Sequence, residues 1–251
     1  MGPVETLVRE QISKLGTICA TLIDSEDLQP KVAADIARRS QECGTSLILV
    51  GGSTAIDQIE LDAIVKAVKR SVKLPVVLFP GNVTGISPNA DAILFSSLLN
   101  SDNPYFIVEA QALGAVLVKK YHLEAIPMGY IVIGDGGAIG FVGKARGIPP
   151  TRPKLAAMYA LAAQMMGMRF VYLEAGSGVT SRISSEVISS VRDVFDGVLM
   201  VGGGVRKPAD ARSIASAGAD ILVVGTLIET EGFELTLKQI VRNIRNARHP
   251  P

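Results

Sequence analysis
Short apolar runs rich in β-branched residues alternate along the chain with segments whose apolar positions recur every three or four residues. The runs are Ile18 to Ile23, Ser46 to Val50, Val76 to Phe79, Ala92 to Phe95, Ala125 to Ile133, Phe170 to Leu173, Val198 to Val201 and Ile221 to Val224. Their continuity predicts strands buried on both faces, as parallel strands are when helices cover one side. Between them, sets such as Val32, Ile36, Ala37 and Ser40, or Ile64, Val65, Val68 and Val72, predict amphipathic helices. Strand and helix in alternation imply a parallel α/β fold, and a count of eight strands favours closure into a (β/α)8 TIM barrel. Gly44, Gly114, Gly167 and Gly218 fall near the ends of helical patterns, where a left-handed cap favours glycine.

Two segments break the alternation. Only Pro80 to Asp91 joins the third run to the fourth, and Pro80, Gly81, Gly85 and Pro88 punctuate it. A parallel crossover ordinarily takes a dozen or more residues, so a loop or extended segment replaces the helix here and leaves that side of the barrel thin. The second is Gly134 to Pro150, rich in glycine and carrying Lys144 and Arg146, which reads as a long active-site loop. The 251 residues match the roughly 250 of one barrel. With no linker or shift in composition, residues 1–251 read as one domain.

Composition then removes several function classes. Hydrophobic residues make up 48% of the chain, yet no apolar run approaches the ~20 residues of a membrane span, so the excess belongs in buried strands. Lys plus Arg number 25 against 24 Asp plus Glu, which leaves no broad basic field for nucleic acid. Any anion must therefore be held locally. Cys19 and Cys43 lack metal-ligand spacing and no secretory signal precedes them, as expected of reduced, buried thiols in a cytoplasmic protein. The start Met1-Gly2-Pro3-Val4-Glu5-Thr6 fits a myristoylation pattern formally, but no basic cluster or second lipid signal accompanies it.

Barrel active sites are built from the loops that follow the strands, and five of the eight runs end in candidate ligand groups. These are Asp24 after the first, Gly51-Gly52-Ser53 after the second, Glu174-Ala175-Gly176-Ser177-Gly178 after the sixth, Gly202-Gly203-Gly204 after the seventh and Gly225-Thr226 after the eighth. Glycines after the last two strands let the backbone approach a phosphate, and successive N–H groups form an anion nest. Asp24 stands too far ahead of Pro30 to cap the next helix easily, and Gln29 or Asp27 is nearer. An oxygen ligand for Mg2+ is the sharper reading, because Mg2+ takes one or two carboxylates and completes its shell with phosphate and water. Glu174 is either half of a salt bridge or, if buried and unpaired, a proton acceptor of raised pKa. His122, at a helix terminus, and His249, near the chain end, receive no role.

These residues resemble the geranylgeranylglyceryl phosphate synthases of archaea and their bacterial relatives, prenyltransferases on a modified barrel. The resemblance spans nearly the whole chain. It rests on Thr21-Leu22-Ile23-Asp24, Val50-Gly51-Gly52-Ser53-Thr54, Leu78-Phe79-Pro80-Gly81-Asn82, Ser97-Leu98-Leu99-Asn100-Ser101 with Asn103-Pro104-Tyr105, Pro127-Met128-Gly129-Tyr130, Tyr172 to Gly178, and Gly202-Gly203-Gly204. In that family the helix after the third strand is lost. The resemblance implies transfer of the geranylgeranyl group of geranylgeranyl diphosphate to sn-glycerol 1-phosphate, releasing pyrophosphate, as the first ether-bond step of archaeal membrane lipid synthesis. It places Mg2+ on Asp24 and Ser53. Glycerol phosphate falls to Tyr172, Leu173, Glu174, Ala175, Gly176, Ser177, Gly178, Gly203, Gly204, Gly225 and Thr226, with Glu174 deprotonating the attacking hydroxyl.

The motifs look closest to the second of the family's two archaeal groups, which implies a homo-oligomer, dimer or hexamer. Phe141 stands where those members have an aromatic residue thought to support higher assembly. Neither nucleic acid nor a transmembrane segment is implied, and transient contact with a membrane surface stays open. Two other readings of the phosphate glycines also remain: a phosphosugar isomerase or lyase, and a non-catalytic phosphate-binding scaffold. A prenyl chain needs an apolar groove that a packed barrel centre cannot offer. The thin wall at Pro80 to Asp91 is the expected route, with Tyr105 and Phe106 lining or closing it.

Overall fold
The computed structural model describes residues 1–52, 57–176, 182–245 and 247, and in it all eight predicted runs are strands whose ends differ from expectation by three residues at most. They are β1 (Ile18–Asp24), β2 (Leu47–Gly52), β3 (Val76–Pro80), β4 (Ala92–Leu98), β5 (Glu124–Val132), β6 (Phe170–Glu174), β7 (Val198–Gly202) and β8 (Ile221–Val224). Every neighbouring pair is parallel and β8 closes on β1, giving a barrel in sequence order. Helices α1 (Pro3–Leu15), α2 (Pro30–Glu42), α3 (Gln58–Ser71), α4 (Ala110–Lys120), α5 (Gly137–Val142), α6 (Pro153–Met165), α7 (Ser185–Arg192), α8 (Pro208–Ser216) and α9 (Phe233–Arg245) accompany it. Four of them, α1, α2, α6 and α8, open on a proline, whose fixed φ suits the first helical position. Among the described residues no helix is long and apolar enough to cross a membrane.

Period-two alternation sorts each strand between two cores. Phe170, Tyr172, Val198 and Met200 fill the barrel centre, whereas Val171, Leu173, Leu199 and Val201 face the helices. Helix α1 belongs to the inner core: Val4 and Val8 join it and Ile12 and Leu15 pack against it, so the bottom of the barrel is stoppered. Glu124, at the start of β5, fixes this stopper by accepting the free N–H groups of Val4 at 2.7 Å and Glu5 at 2.9 Å.

Glu5 is fully buried beside it, accepting from Arg169 Nη2 at 2.7 Å and Arg9 Nε at 3.0 Å. Burial acts to raise its pKa, but the two guanidiniums outweigh burial and hold the carboxyl below its ordinary value. A depressed carboxyl contributes stability above its unfolded pKa and loses it as pH falls through the folded one. Glu5→Gln should therefore cost about 2 kcal/mol at neutral pH, below the usual cost of splitting a buried pair because both arginines can turn towards water. Urea unfolding at pH 7 and pH 4 checks this, and the gap between wild type and variant should narrow at the lower pH.

The β3–β4 connection has no α-helix. A single 3-10 turn at Val83–Gly85 stands in its place, and β3 registers with β4 through only two residue pairs, Val77 with Ala92 and Leu78 with Ile93. Gly134 to Pro150 is more ordered than its glycine content suggested, since α5 lies within it. The segment is tied down by bridges of Ile133 to Ile148 and Ser101 to Ala145. The buried Asn100 amide donates to the carbonyls of Val132 at 3.0 Å and Arg146 at 2.9 Å. Gly44, Gly167 and Gly218 have the expected left-handed φ, but Gly114 lies inside α4. Its use is close approach: a Cβ there would stand 3.0 Å from Ile86 Cδ1 on the short connection.

Candidate active site
Two adjoining cavities open at the carboxyl ends of the strands, and they share Leu22 and Glu174. The larger is a mainly apolar cleft of about 1000 Å³ measured out to its mouth. One wall is the short connection, through Pro80, Asn82, Val83 and Ile86; the other is Phe106, in the π-helical turn that leads into α4, with Ala110 and Gly114 of α4. Loss of the third helix therefore creates a side cleft as well as a thin wall. Ile139 of α5 closes part of it, which gives the Gly134 to Pro150 segment a definite place. Phe106 lines the cleft. Tyr105 instead clasps the two walls together, its phenol donating to Asn82 Oδ1 at 2.6 Å.

The smaller cavity is of mixed lining and includes Tyr172, Gly203, Gly204, Val205, Arg206, Gly225 and Thr226. Among the described residues, the main-chain N–H groups of Gly203, Gly204 and Gly225 have no acceptor, which leaves them available to an anion. The consecutive glycines have separate causes. A Cβ on Gly202 would come within 2.0 Å of the Tyr172 hydroxyl oxygen. At Gly203 it would meet Glu174 Oε1 at 2.7 Å, and both Gly203 and Gly204 have positive φ, at 85° and 70°.

Glu174 sits where the cavities meet, 7% exposed, with no cationic partner among the described residues. The salt-bridge reading gives way to three hydrogen-bond donors. Gly176 N–H donates at 2.5 Å and the Tyr130 hydroxyl at 2.8 Å, and the Tyr172 phenol is the third. Burial raises the Glu174 pKa, and these donors only partly offset it. Burial also pushes both phenols well above their ordinary pKa, so they remain neutral donors. Phe79, Tyr130 and Tyr172 meet at 5.0 to 5.8 Å between ring centroids and form an aromatic floor under this carboxylate.

Asp24 ends β1 opposite Gly51, at the rim of the cleft. It accepts one bond, from Glu26 N–H at 3.1 Å, and the cap position of α2 falls to Gln29. Burial raises its pKa and the Glu26 charge adds to that, while the Glu26 N–H acts the other way. Asp24 therefore does not serve α2. Its oxygens suit a hard cation, and among the described residues no group of three or more His, Cys, Asp or Glu forms a closed metal cage. A single carboxylate is compatible with Mg2+, which would complete its shell with phosphate and water.

Tyr172, Glu174, Gly203, Gly204, Gly225 and Thr226 are thus brought together as expected. Leu173 and Ala175 pack in the outer core and line neither cavity. Gly176 is occupied with Glu174. Ser53, Ser177 and Gly178 lie outside the described residues. Two residues escaped the sequence reading. Tyr130 could have been found from the inward alternation of Met128 and Tyr130, and Arg206 from a basic residue closely following the triple glycine.

A family model described as the PcrB family matches residues 11–244. The chain is 51% identical over 245 residues to geranylgeranylglyceryl phosphate synthase of Nitrosopumilus maritimus, covering 98% of both chains. It is 55% identical over 232 residues to the enzyme of that name from Cenarchaeum symbiosum, covering 92% of this chain and 94% of that one. Among solved structures, (S)-3-O-geranylgeranylglyceryl phosphate synthase from Thermoplasma acidophilum, in complex with its substrate sn-glycerol-1-phosphate, superimposes with a TM-score of 0.93 at 40% identity, covering 98% of this chain and 99% of that one. A tryptophan synthase alpha subunit from Legionella pneumophila, at 13% identity and a TM-score of 0.61, shares the fold alone.

Proposed function
The chain belongs to the PcrB family, and from that premise we propose that it is a geranylgeranylglyceryl phosphate synthase, joining geranylgeranyl diphosphate to sn-glycerol 1-phosphate. The observation that carries this reading is the place of Glu174, between a small pocket lined by glycine main chain and a larger, mainly apolar cleft. Phosphate held on Gly203, Gly204 and Gly225 leaves the glycerol end pointing at Glu174. The carboxylate accepts the hydroxyl proton, the freed oxygen pair bonds to the first prenyl carbon, and the carbon–oxygen bond to diphosphate breaks to release pyrophosphate. Glu174 thus acts by position and basicity together.

Asp24 would hold Mg2+, with Ser53 as its partner, and the ion would supply charge neutralisation to the departing diphosphate. A phosphosugar isomerase would need a second acid or base at the strand ends. Among the described residues lining the two cavities only Asp24, Glu174 and Arg206 are charged, and Asp24 stands at the rim. Product analysis with glycerol 1-phosphate and prenyl diphosphates of graded length, with and without Mg2+, tests the reading. Prenylglyceryl phosphate and pyrophosphate in equal amounts are expected with the metal present; absence of an ether product with every donor would overturn it.

The chain also self-associates on this reading, as a dimer or hexamer. Support comes from apolar side chains left in water: Phe141 on α5 is 88% exposed, and Leu113 and Val116 on α4 and Met158 and Met165 on α6 are mostly exposed too. Phe141→Glu should lower the particle mass seen by light scattering without changing the circular dichroism spectrum. An unchanged mass would remove Phe141 from the interface.

A further inference from the structure
We infer that Arg206, in the turn between β7 and α8, is the charged anchor of the glycerol phosphate, closing on it over the glycine cradle. This rests on the reading of function above. The starting point is a shortage of positive charge. The residues lining both cavities include two carboxylates, Asp24 and Glu174, and one cation, Arg206. A phosphate dianion seated on Gly203, Gly204 and Gly225 shares its pocket with the Glu174 carboxylate. Main-chain N–H groups offer that dianion only partial charges, and the repulsion from Glu174 works against them.

Arg206 can supply the missing full charge. It follows Gly204 by two residues and lies on the lip of the same pocket, exposed and without an ion-pair partner among the described residues. The other arginine in this region is already engaged, since Arg182 pairs with Asp210 at 3.3 Å. A guanidinium presents a planar fork that fits two phosphate oxygens at once, which an isolated N–H group cannot do. Because it is exposed before binding, Arg206 pays little desolvation in the empty pocket and gains most when the dianion arrives. The arrangement predicts selection for doubly charged phosphate esters at the affinity stage.

The test combines steady-state kinetics with calorimetric titration of inorganic phosphate in the absence of any prenyl donor. Arg206→Ala should raise the KM for glycerol 1-phosphate, and weaken phosphate binding, by the same factor of about tenfold to a hundredfold. kcat and the KM for prenyl diphosphate should stay within about threefold. Arg206→Lys should recover only part of the loss, because the charge returns without the two-pronged fork, and added salt should shrink the gap between wild type and Arg206→Ala. Unchanged phosphate binding in Arg206→Ala, or a change confined to the KM of the prenyl diphosphate, overturns the inference. Should Arg206→Ala fold poorly, Arg206→Gln and Arg206→Lys give the same comparison. Arg206-dependent phosphate binding without ether product would overturn prenyl transfer and leave the anchor standing; normal product formation with phosphate binding indifferent to Arg206 would do the reverse.

Discussion

Glu174→Gln is expected to lower kcat by about a thousandfold while the KM for glycerol 1-phosphate moves by less than about threefold. Glutamine keeps the size and an acceptor oxygen for the Gly176 N–H, and its NH2 stands where Glu174 accepts from the Tyr130 hydroxyl, which can turn to accept instead, so the pocket keeps its shape. What disappears is the group that takes the hydroxyl proton. Since burial raises the Glu174 pKa, wild-type kcat should fall as pH drops through a value above the ordinary carboxylate range, and the variant should lack that limb. Folding also favours the protonated form of a raised carboxyl, so its stabilising contribution is lost as pH rises through the folded pKa. Catalysis thus requires the charge state that the fold disfavours. A variant whose residual activity keeps the same acid limb would exclude Glu174 as the base.

Asp24→Asn should lower kcat by about a hundredfold at saturating Mg2+ and raise the Mg2+ concentration needed for half-maximal rate. The fold should be untouched, because among the described residues the Asp24 carboxylate accepts only from the Glu26 N–H, which an amide oxygen can also satisfy. Glycerol phosphate affinity should also persist, since the glycine cradle stands on β7 and β8 while Asp24 ends β1. Melting temperature, metal titration and substrate titration together check these points. Wild-type rates at limiting Mg2+ would remove Asp24 from the metal site.

The fold was largely legible because a barrel repeats one short pattern: apolar runs of strand length, punctuated by glycine and proline, fix both the strands and their carboxyl ends. The missing third helix could be read from spacing, since Pro80 to Asp91 is too short and too rich in breakers to hold one. The ordering of Gly134 to Pro150 was hidden. Asn100 and Ser101 on the β4 loop tie it down, contacts distant in sequence that no local pattern contains. Gly114 misled for a related reason, as its value lies in proximity to Ile86 rather than in a turn. In the site, the phosphate glycines and the two carboxylates carry their chemistry in residue type. Leu173 and Ala175 do not take part through side chains because alternation turns them to the helices, while Tyr130 turns inward for the same cause. Arg206 was overlooked because an exposed arginine looks like any surface charge until its pocket is seen.

The cleft in the barrel flank bears on how quickly an amphiphilic product can leave. Drawing a tail of about twenty carbons into water in one event would cost on the order of 16 kcal/mol, at roughly 0.8 kcal/mol per methylene, and that barrier alone would hold release to about ten events per second. A tail bound in the cleft between Pro80 to Ile86 and the start of α4 would instead lie in the barrel flank, along a cleft that opens to solvent. It can be peeled off one methylene at a time against any apolar phase pressed to that side, with no step exposing the whole chain. The phosphate end, held separately near β7 and β8, stays anchored as a pivot until the tail is free. A side slot therefore changes product release from extraction to sliding, and turnover in the presence of lipid vesicles or detergent should exceed turnover in buffer alone.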